Sequence, residues 1–95
     1  MKFEWDEQKN EINIVKHGFD FADAQQVFCS PMVVEPDERY NYGEERWIGT
    51  GMLQGRVVVI VYTEPNSQMT RIISLRKATS HERTRYEQYI KNRLG

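Results

Sequence analysis

The stretch TRIISLRKATSHERTR, residues 70–85, decides how the rest of the chain folds. Its β-branched residues and period-two alternation predict a strand whose side chains divide between two faces. One face would carry Arg71, Ile73, Leu75 and Lys77, and the other Ile72, Ser74 and Arg76. From Thr79 to Glu82 the chain has the S/T-x-x-E spacing of a capping box, which predicts that a helix begins there. The stretch is therefore a predicted corner between a strand and a helix.

This corner holds two cations, Arg76 and Lys77. Cations at a strand end, close to the amides of a helix N-terminus, form a candidate anion site because fixed donors and the helix dipole both favour negative charge. Solvated charges at a strand end would give the same pattern. The stretch alone leaves both interpretations open.

Length and composition predict one small globular domain over residues 1–95. Hydrophobic residues make up 39% and charged residues 28%, which is typical of soluble globular proteins rather than disordered or membrane proteins. No apolar run long enough to span a membrane and no signal peptide is recognisable, so we expect a cytoplasmic protein without membrane contact. The single cysteine, Cys29, has no partner for an internal disulfide and is expected in the core.

The net charge of -1 conceals an uneven distribution along the chain. Residues 1–45 hold four basic and eleven acidic residues, a net charge of -7, whereas residues 46–95 hold nine basic and three acidic residues, a net charge of +6. The two halves predict a polarised surface, with one region that attracts phosphate and another that attracts a basic partner. Folding that interleaves the halves would cancel much of this field.

The N-terminal part has a predicted strand over residues 2–5 and a predicted helix over residues 7–16. Asp6 is the N-cap of this helix, which we interpret as amphipathic because Ile12 and Val15 lie one turn apart. A second helix is predicted to follow. Its apolar side would hold Phe21, Ala24, Val27 and Phe28.

The remaining chain has the period of strands up to the C-terminal helix. The predicted strands cover residues 32–35, 45–52, 56–64 and 70–77. The strand RVVVIVYTE is apolar on both faces and is expected at the centre of the sheet. In the strand before it, Gly49 and Gly51 leave a strip without side chains that another backbone or a ligand could approach.

The predicted order of elements is β-α-α-β-β-β-β-α. This is an α+β fold with an antiparallel sheet of about four strands, a short N-terminal strand, two N-terminal helices and one C-terminal helix. The helices would pack on one face of the sheet and leave the other face half open. The basic residues at strand ends would converge on the open face, namely Arg46, Arg56, Arg71, Arg76 and Lys77.

The candidate chemistry rests on arginine. The sequence contains no metal-ligand cluster, glycine-rich phosphate loop or nucleophile motif, so neither a metal nor a cofactor is expected. A guanidinium group binds a phosphodiester through two hydrogen bonds and stabilises charge that develops in the transition state. RNA supplies its own 2′-OH nucleophile, so a protein that fixes the geometry and neutralises the phosphate can cleave it without a metal.

Three segments resemble a known family: FEWDEQKNEINIVKHGFDFADAQQVF, GTGMLQGRVVVIVYTE and RIISLRKATSHERTRYE. They are similar to the BrnT toxins, the ribonuclease components of type II toxin–antitoxin pairs, which have a RelE-like fold. The most specific motifs are WDxxKxxxNxxKHG and RIIS-x-RKAT-x-x-E, matched here by residues 5–18 and 71–82. One departure is Pro65, which stands where many relatives have arginine.

The resemblance implies RNA cleavage, growth arrest and neutralisation by an antitoxin. The antitoxin would be a BrnA-like protein with a ribbon-helix-helix DNA-binding part, and it would form a hetero-oligomer with the toxin. DNA would be contacted only through the antitoxin.

We therefore interpret the chain as a metal-independent endoribonuclease. Its candidate catalytic cations are Arg56, Arg71 and Arg76, which would bind the phosphate and stabilise the transition state, and Lys77, which would act as a further cation or as an acid. Either Glu45 or His17 would accept the 2′-OH proton, and the sequence does not choose between them. The candidate RNA-binding residues are Arg46, Trp47 and Tyr62. The alternative is a non-catalytic RNA- or partner-binding module that uses the same basic sheet face together with stacking aromatic residues.

Overall fold

A computed structural model describes residues 1–94 and shows five strands and three α-helices in that part of the chain. The strands are β1 (Lys2–Glu4), β2 (Val33–Pro36), β3 (Trp47–Leu53), β4 (Arg56–Asn66) and β5 (Met69–Lys77). The helices are α1 (Glu7–His17), α2 (Ala24–Phe28) and α3 (Ser80–Leu94), and a 3₁₀ turn (Phe21–Asp23) leads into α2. This order confirms the predicted α+β fold. Within residues 1–94, no helix combines the length and apolar character needed to cross a membrane.

The strands form one mixed sheet in the order β1-β5-β4-β3-β2. Neighbouring strands from β2 to β5 are antiparallel, and β1 pairs in parallel with β5. β4 lies at the centre, as predicted, because a strand that is apolar on both faces is stable only where both faces are covered. Every residue from Val57 to Thr63 is accordingly buried.

Helices cover both faces of the sheet, so the prediction that they pack on one face was wrong. On one face, Val58 and Ile60 of β4 pack with Val27 of α2. On the other, which we call the α3 face, Val57 and Val59 of β4 lie in a cluster with residues of α3. Both faces are covered because β4 is apolar on both. Each Å² of apolar surface left in water would reduce the stability of the fold by about 25 cal/mol.

A β-bulge in β5 interrupts the alternation that the sequence predicts for this strand. Val61 of β4 pairs with Ser74, and the next residue, Tyr62, pairs with Ile72. Ile73 lies between them without a partner in β4. An extra residue of this kind reverses the faces of the side chains beyond it.

The bulge changes which residues of β5 share a face. Ile72 and Leu75 both enter the core that the 3₁₀ turn and α2 cover, with exposed fractions of 1% and 0%. Arg71 and Arg76 lie together on the α3 face, opposite Thr63 and Val59 of β4, although the sequence had predicted them on different faces. The strict alternation was therefore wrong, and two cations of β5 lie on one side of the sheet.

α1 is attached to the sheet by a buried asparagine. The Asn13 carboxamide donates to the carbonyl oxygens of Phe19 and Leu75, each at 2.9 Å. Its oxygen accepts from the Leu75 amide at 3.2 Å. The carboxamide therefore pairs with both backbone groups of Leu75, as a neighbouring strand would.

A second buried asparagine, Asn10, lies on the same side of α1 and accepts from the Phe21 amide at 2.8 Å. Ile12 and Val15 face solvent, with 65% and 89% of their surface exposed. The interpretation of α1 as a helix that buries these apolar residues was wrong. Hydrogen bonds, rather than apolar contacts, define its inner side.

The structure also differs from the predictions for Cys29 and for the glycines of β3. Cys29, at the end of α2, is exposed rather than part of the core. The strip at Gly49 and Gly51 is filled by the protein's own side chains, since a Cβ atom on Gly51 would lie 2.8 Å from Ser30 Oγ and 2.9 Å from a methyl group of Val27. No room is left there for a ligand.

Replacing Asn13 with alanine is expected to lower the free energy of unfolding by about 2–4 kcal/mol. Three hydrogen bonds are lost, and the buried amide and carbonyl of Leu75 are left without their partner. Urea denaturation followed by circular dichroism measures the change. Val15→Ala in the same helix is the matched control and should shift the free energy by less than about 0.5 kcal/mol. Equal effects of the two substitutions would contradict the anchoring role of Asn13.

Candidate active site

The corner between β5 and α3 contains the capping box that the sequence predicts. The Thr79 amide donates to Glu82 Oε1 at 2.9 Å, and the Glu82 amide donates to Thr79 Oγ1 at 3.2 Å. Each residue satisfies a backbone donor of the other at the start of the helix. The corner is therefore held rigidly.

Glu82 also holds the guanidinium group of Arg76. Nη1 and Nη2 of Arg76 donate to the two carboxylate oxygens of Glu82 at 2.8 and 2.9 Å. Nη1 donates as well to the carbonyl oxygen of Lys77 at 3.2 Å. The Nε hydrogen and the second Nη2 hydrogen have no hydrogen-bond partner within residues 1–94. These two hydrogens form one edge of the planar group, and that edge matches two oxygens of a phosphate.

The pair of Arg76 and Glu82 stays ionised over the physiological range. Hydrogen bonds from Arg76 are the main cause that lowers the pKa of Glu82 to about 2. The hydrogen bonds to Glu82 in turn raise the pKa of Arg76 above its usual value. The Arg76 side chain keeps 33% of its surface exposed, so part of it is accessible to a ligand.

A second arginine, Arg39, brings positive charge to the same region from the loop between β2 and β3. Its charge acts on Arg76 and opposes the rise in the pKa of that group. Arg39 Nε and Nη2 donate to the Asp37 carboxylate at 2.8 and 2.9 Å, and the Tyr42 hydroxyl donates to the same carboxylate at 3.2 Å. Arg39 was not among the residues predicted from the sequence, because the D-x-R spacing of a turn does not show which face the loop approaches.

His17, at the end of α1, is half-buried and feels the charge of Arg76. Burial is the largest cause that lowers the pKa of His17, and the positive charges of Lys16 and Arg76 lower it further. The imidazole is therefore neutral at pH 7 and has a nitrogen that can accept a proton. These are the properties of a general base.

Glu45, the other candidate base, lies in a different and acidic groove. Glu44, Glu45 and Glu64 line this groove of about 640 Å³. Carboxylates grouped in this way repel a phosphodiester. The geometry therefore favours His17 over Glu45 as the proton acceptor.

The other predicted cations lie in two separate places. Arg71 forms an ion pair with Glu4 of β1 at 3.3 Å. Arg56 and Lys77 line a groove beside α3 together with Arg83. The charge of Arg76 acts on His17, but the structure does not gather the predicted catalytic residues at one point.

The three predicted RNA-binding residues are partly or fully covered. The Tyr62 ring is buried, with its centroid 5.0 Å from that of Phe28, and burial raises its pKa. Trp47 is half-buried. The Arg46 guanidinium lies 3.9 Å from the centroid of the Tyr42 ring. In residues 1–94, no three His, Cys, Asp or Glu side chains are grouped so that they could hold a metal ion.

Thr79→Ala is expected to lower the free energy of unfolding by about 1 kcal/mol, because the Glu82 amide loses its acceptor. The pair of Arg76 and Glu82 remains, so RNA binding and chemistry at this corner should persist. Thermal denaturation measures the first effect, and Ser80→Ala, one residue further on, is the matched control. Loss of function without loss of stability would show that Thr79 acts in the site rather than as a cap.

The comparisons with known proteins agree with the fold. Residues 5–82 match the family model described as "Ribonuclease toxin, BrnT, of type II toxin-antitoxin system". The chain is also similar to the crystal structure of the Brucella abortus ribonuclease toxin BrnT, with 33% sequence identity and a TM-score of 0.70. That similarity covers 84% of this chain and 99% of the Brucella chain. No curated protein matches the chain.

Proposed function

Because the chain belongs to the BrnT family of ribonuclease toxins of type II toxin–antitoxin systems, we propose that it cleaves RNA endonucleolytically in the cytoplasm, without a metal ion or cofactor. The observation that carries this proposal is the guanidinium edge of Arg76 that Glu82 leaves free, together with a neutral imidazole, His17, whose pKa the charge of Arg76 helps to lower. One group binds a phosphodiester and the other accepts a proton. Attack by a 2′-OH requires both functions.

The reaction begins when the free edge of Arg76 donates two hydrogen bonds to the nonbridging oxygens of the scissile phosphate. His17 takes the proton of the neighbouring 2′-OH, and the 2′ oxygen forms a bond to phosphorus. The bond between phosphorus and the 5′ oxygen breaks, and this oxygen takes a proton from water. The products are a 2′,3′-cyclic phosphate and a 5′-OH end. Arg39 stabilises the negative charge that develops on the phosphate.

Arg76→Ala is expected to lower kcat/KM for RNA cleavage at least about 30-fold, equivalent to about 2 kcal/mol of transition-state stabilisation. The reason is the loss of a donor pair that is already ordered before substrate binds. Cleavage of a labelled RNA in EDTA measures the effect. Arg76→Lys keeps the charge but not the two-pronged donor edge, so it should restore little activity.

The control for this experiment is Arg93→Ala, which removes the same charge from the last turn of α3. Because Arg76 also holds Glu82, the unfolding free energy of each variant is measured in the assay buffer, and rates are compared only for folded protein. Full activity of folded Arg76→Ala would exclude Arg76 from the site.

The pH dependence of kcat/KM should have an acid limb set by His17. A base must be unprotonated, and burial and nearby cations lower the pKa of His17, so activity should fall only as the pH drops through a midpoint below 6.5. His17→Asn should remove this limb and slow cleavage by about 10²–10⁴-fold. His81→Asn, which changes the exposed histidine of α3, is the control. An unchanged acid limb in His17→Asn would assign the base elsewhere.

A non-catalytic RNA- or partner-binding module is the second candidate function. It relies on stacking aromatic residues, and the buried ring of Tyr62 and the half-covered ring of Trp47 weaken it. Binding of RNA by folded wild-type protein without any cleavage would favour this module over the ribonuclease.

The family implies an antitoxin partner, and we propose a BrnA-like ribbon-helix-helix protein that forms a hetero-oligomer with the toxin and supplies its contact with DNA. The economical way to silence the toxin is to cover the cations of the α3 face with acidic or apolar groups. Burial of Arg71 and Arg76 without counter-charges would be unfavourable, so acidic partner groups are expected there.

Arg71→Ala/Arg76→Ala is expected to weaken both RNA cleavage and antitoxin affinity, and association of the wild-type pair should slow as salt rises. Calorimetry with the candidate antitoxin measures the affinity of each toxin variant. Unchanged affinity of the double variant would show that the antitoxin binds another surface, such as the first two helices.

A further inference from the structure

A second basic groove runs along the flank of α3 that lies away from Glu82. It encloses about 660 Å³, and its lining includes Arg56, Val57, Lys77, Ala78, Arg83 and Glu87. Its cations come from three different elements, since Arg56 begins β4, Lys77 ends β5 and Arg83 lies in α3. The fold, rather than one run of sequence, gathers this positive charge.

Two of the three cations of this groove are uncompensated. Glu87 is the one acidic side chain among the residues that line it, and its carboxylate forms an ion pair with Arg83 Nε at 3.6 Å. Among residues 1–94, neither Arg56 nor Lys77 forms an ion pair. All three cations are exposed, and Val57 and Ala78 supply an apolar floor.

The groove is connected to the proposed cleavage site by the chain itself. Lys77 follows Arg76 directly, and Arg83 follows Glu82 directly. Consecutive Cα atoms are about 3.8 Å apart, so the backbone that lines the groove adjoins the corner of Arg76 and Glu82. Arg76 and Lys77 lie opposite Val59 and Val58 and so extend from opposite faces of β5. A polyanion that reaches from Arg76 into the groove must therefore pass around the end of this strand.

We infer that this groove binds the phosphodiester backbone of the RNA strand next to the cleaved phosphate. The inference rests on the proposed function. The lining supplies cationic donors, which fit phosphate oxygens, and its aromatic ring, Tyr86, is buried against the sheet and is not available for base stacking. The groove therefore binds RNA of any sequence, and its contribution depends on salt.

The test uses a non-cleavable 2′-O-methyl RNA oligonucleotide, so that binding is measured apart from cleavage. For a single strand, each phosphate contact contributes about 0.7 to the slope of log K against log salt concentration. Arg56→Ala/Arg83→Ala should therefore reduce the magnitude of this slope by about 1.4 and weaken binding at low salt. The matched control is Lys91→Ala/Arg93→Ala, which removes two cations from the same helix outside the groove.

Equal slopes for the two double variants would overturn the inference, because the groove would then act only through the general field of the protein. Weaker antitoxin binding with unchanged RNA binding would also overturn it and would assign the groove to the partner. Failure of the proposed function would look different, since wild-type protein would then leave a cleavable RNA intact whatever the slopes. Folding of each variant is confirmed by its denaturation midpoint.

Discussion

The structure depends on the hydrogen bonds between α1 and the outer edge of β5. β1 pairs with β5 only from Met69 to Arg71, so the outer edge beyond that point has no strand beside it. A strand edge of this kind presents unpaired amide and carbonyl groups. Asn13 pairs with both backbone groups of Leu75 and takes the place of the missing strand residue. This explains why the inner side of α1 is polar while Ile12 and Val15 face water.

The same contact joins the two elements that carry the candidate residues His17 and Arg76. His17 lies one helical turn beyond Asn13, and Arg76 follows Leu75. An apolar contact can slide by an ångström or more, whereas hydrogen bonds weaken steeply when their distance and angle change. Joining Asn13 to Leu75 therefore fixes the end of α1, which carries His17, relative to the end of β5, which carries Arg76.

The features that the sequence predicted correctly are those with local causes. The capping box of Thr79 and Glu82 needs only a spacing of three residues, and β4 needs only its apolar composition. The β-bulge at Ile73 depends on how β5 pairs with β4, and the effect of the Arg39 charge on Arg76 depends on where the loop between β2 and β3 lies. Neither leaves a local signal. The apolar residues of α1 led to a wrong prediction of its inner side, because that side consists of asparagine carboxamides rather than apolar side chains.

The candidate site combines ordered donors with little net charge. Arg76 is held by Glu82 and Arg39 by Asp37, so two arginines are balanced by two carboxylates. Donors fixed in this way need no reorganisation when a phosphate arrives, which favours stabilisation of the transition state. Attraction of a polyanion, however, scales with the number of phosphates that unpaired cations neutralise. That charge must come from outside the site, and Arg56 and Lys77, which form no ion pair among residues 1–94, line a separate groove with Arg83. The ordered donors that would act in catalysis and the unpaired cations that would attract RNA thus lie on different flanks of α3.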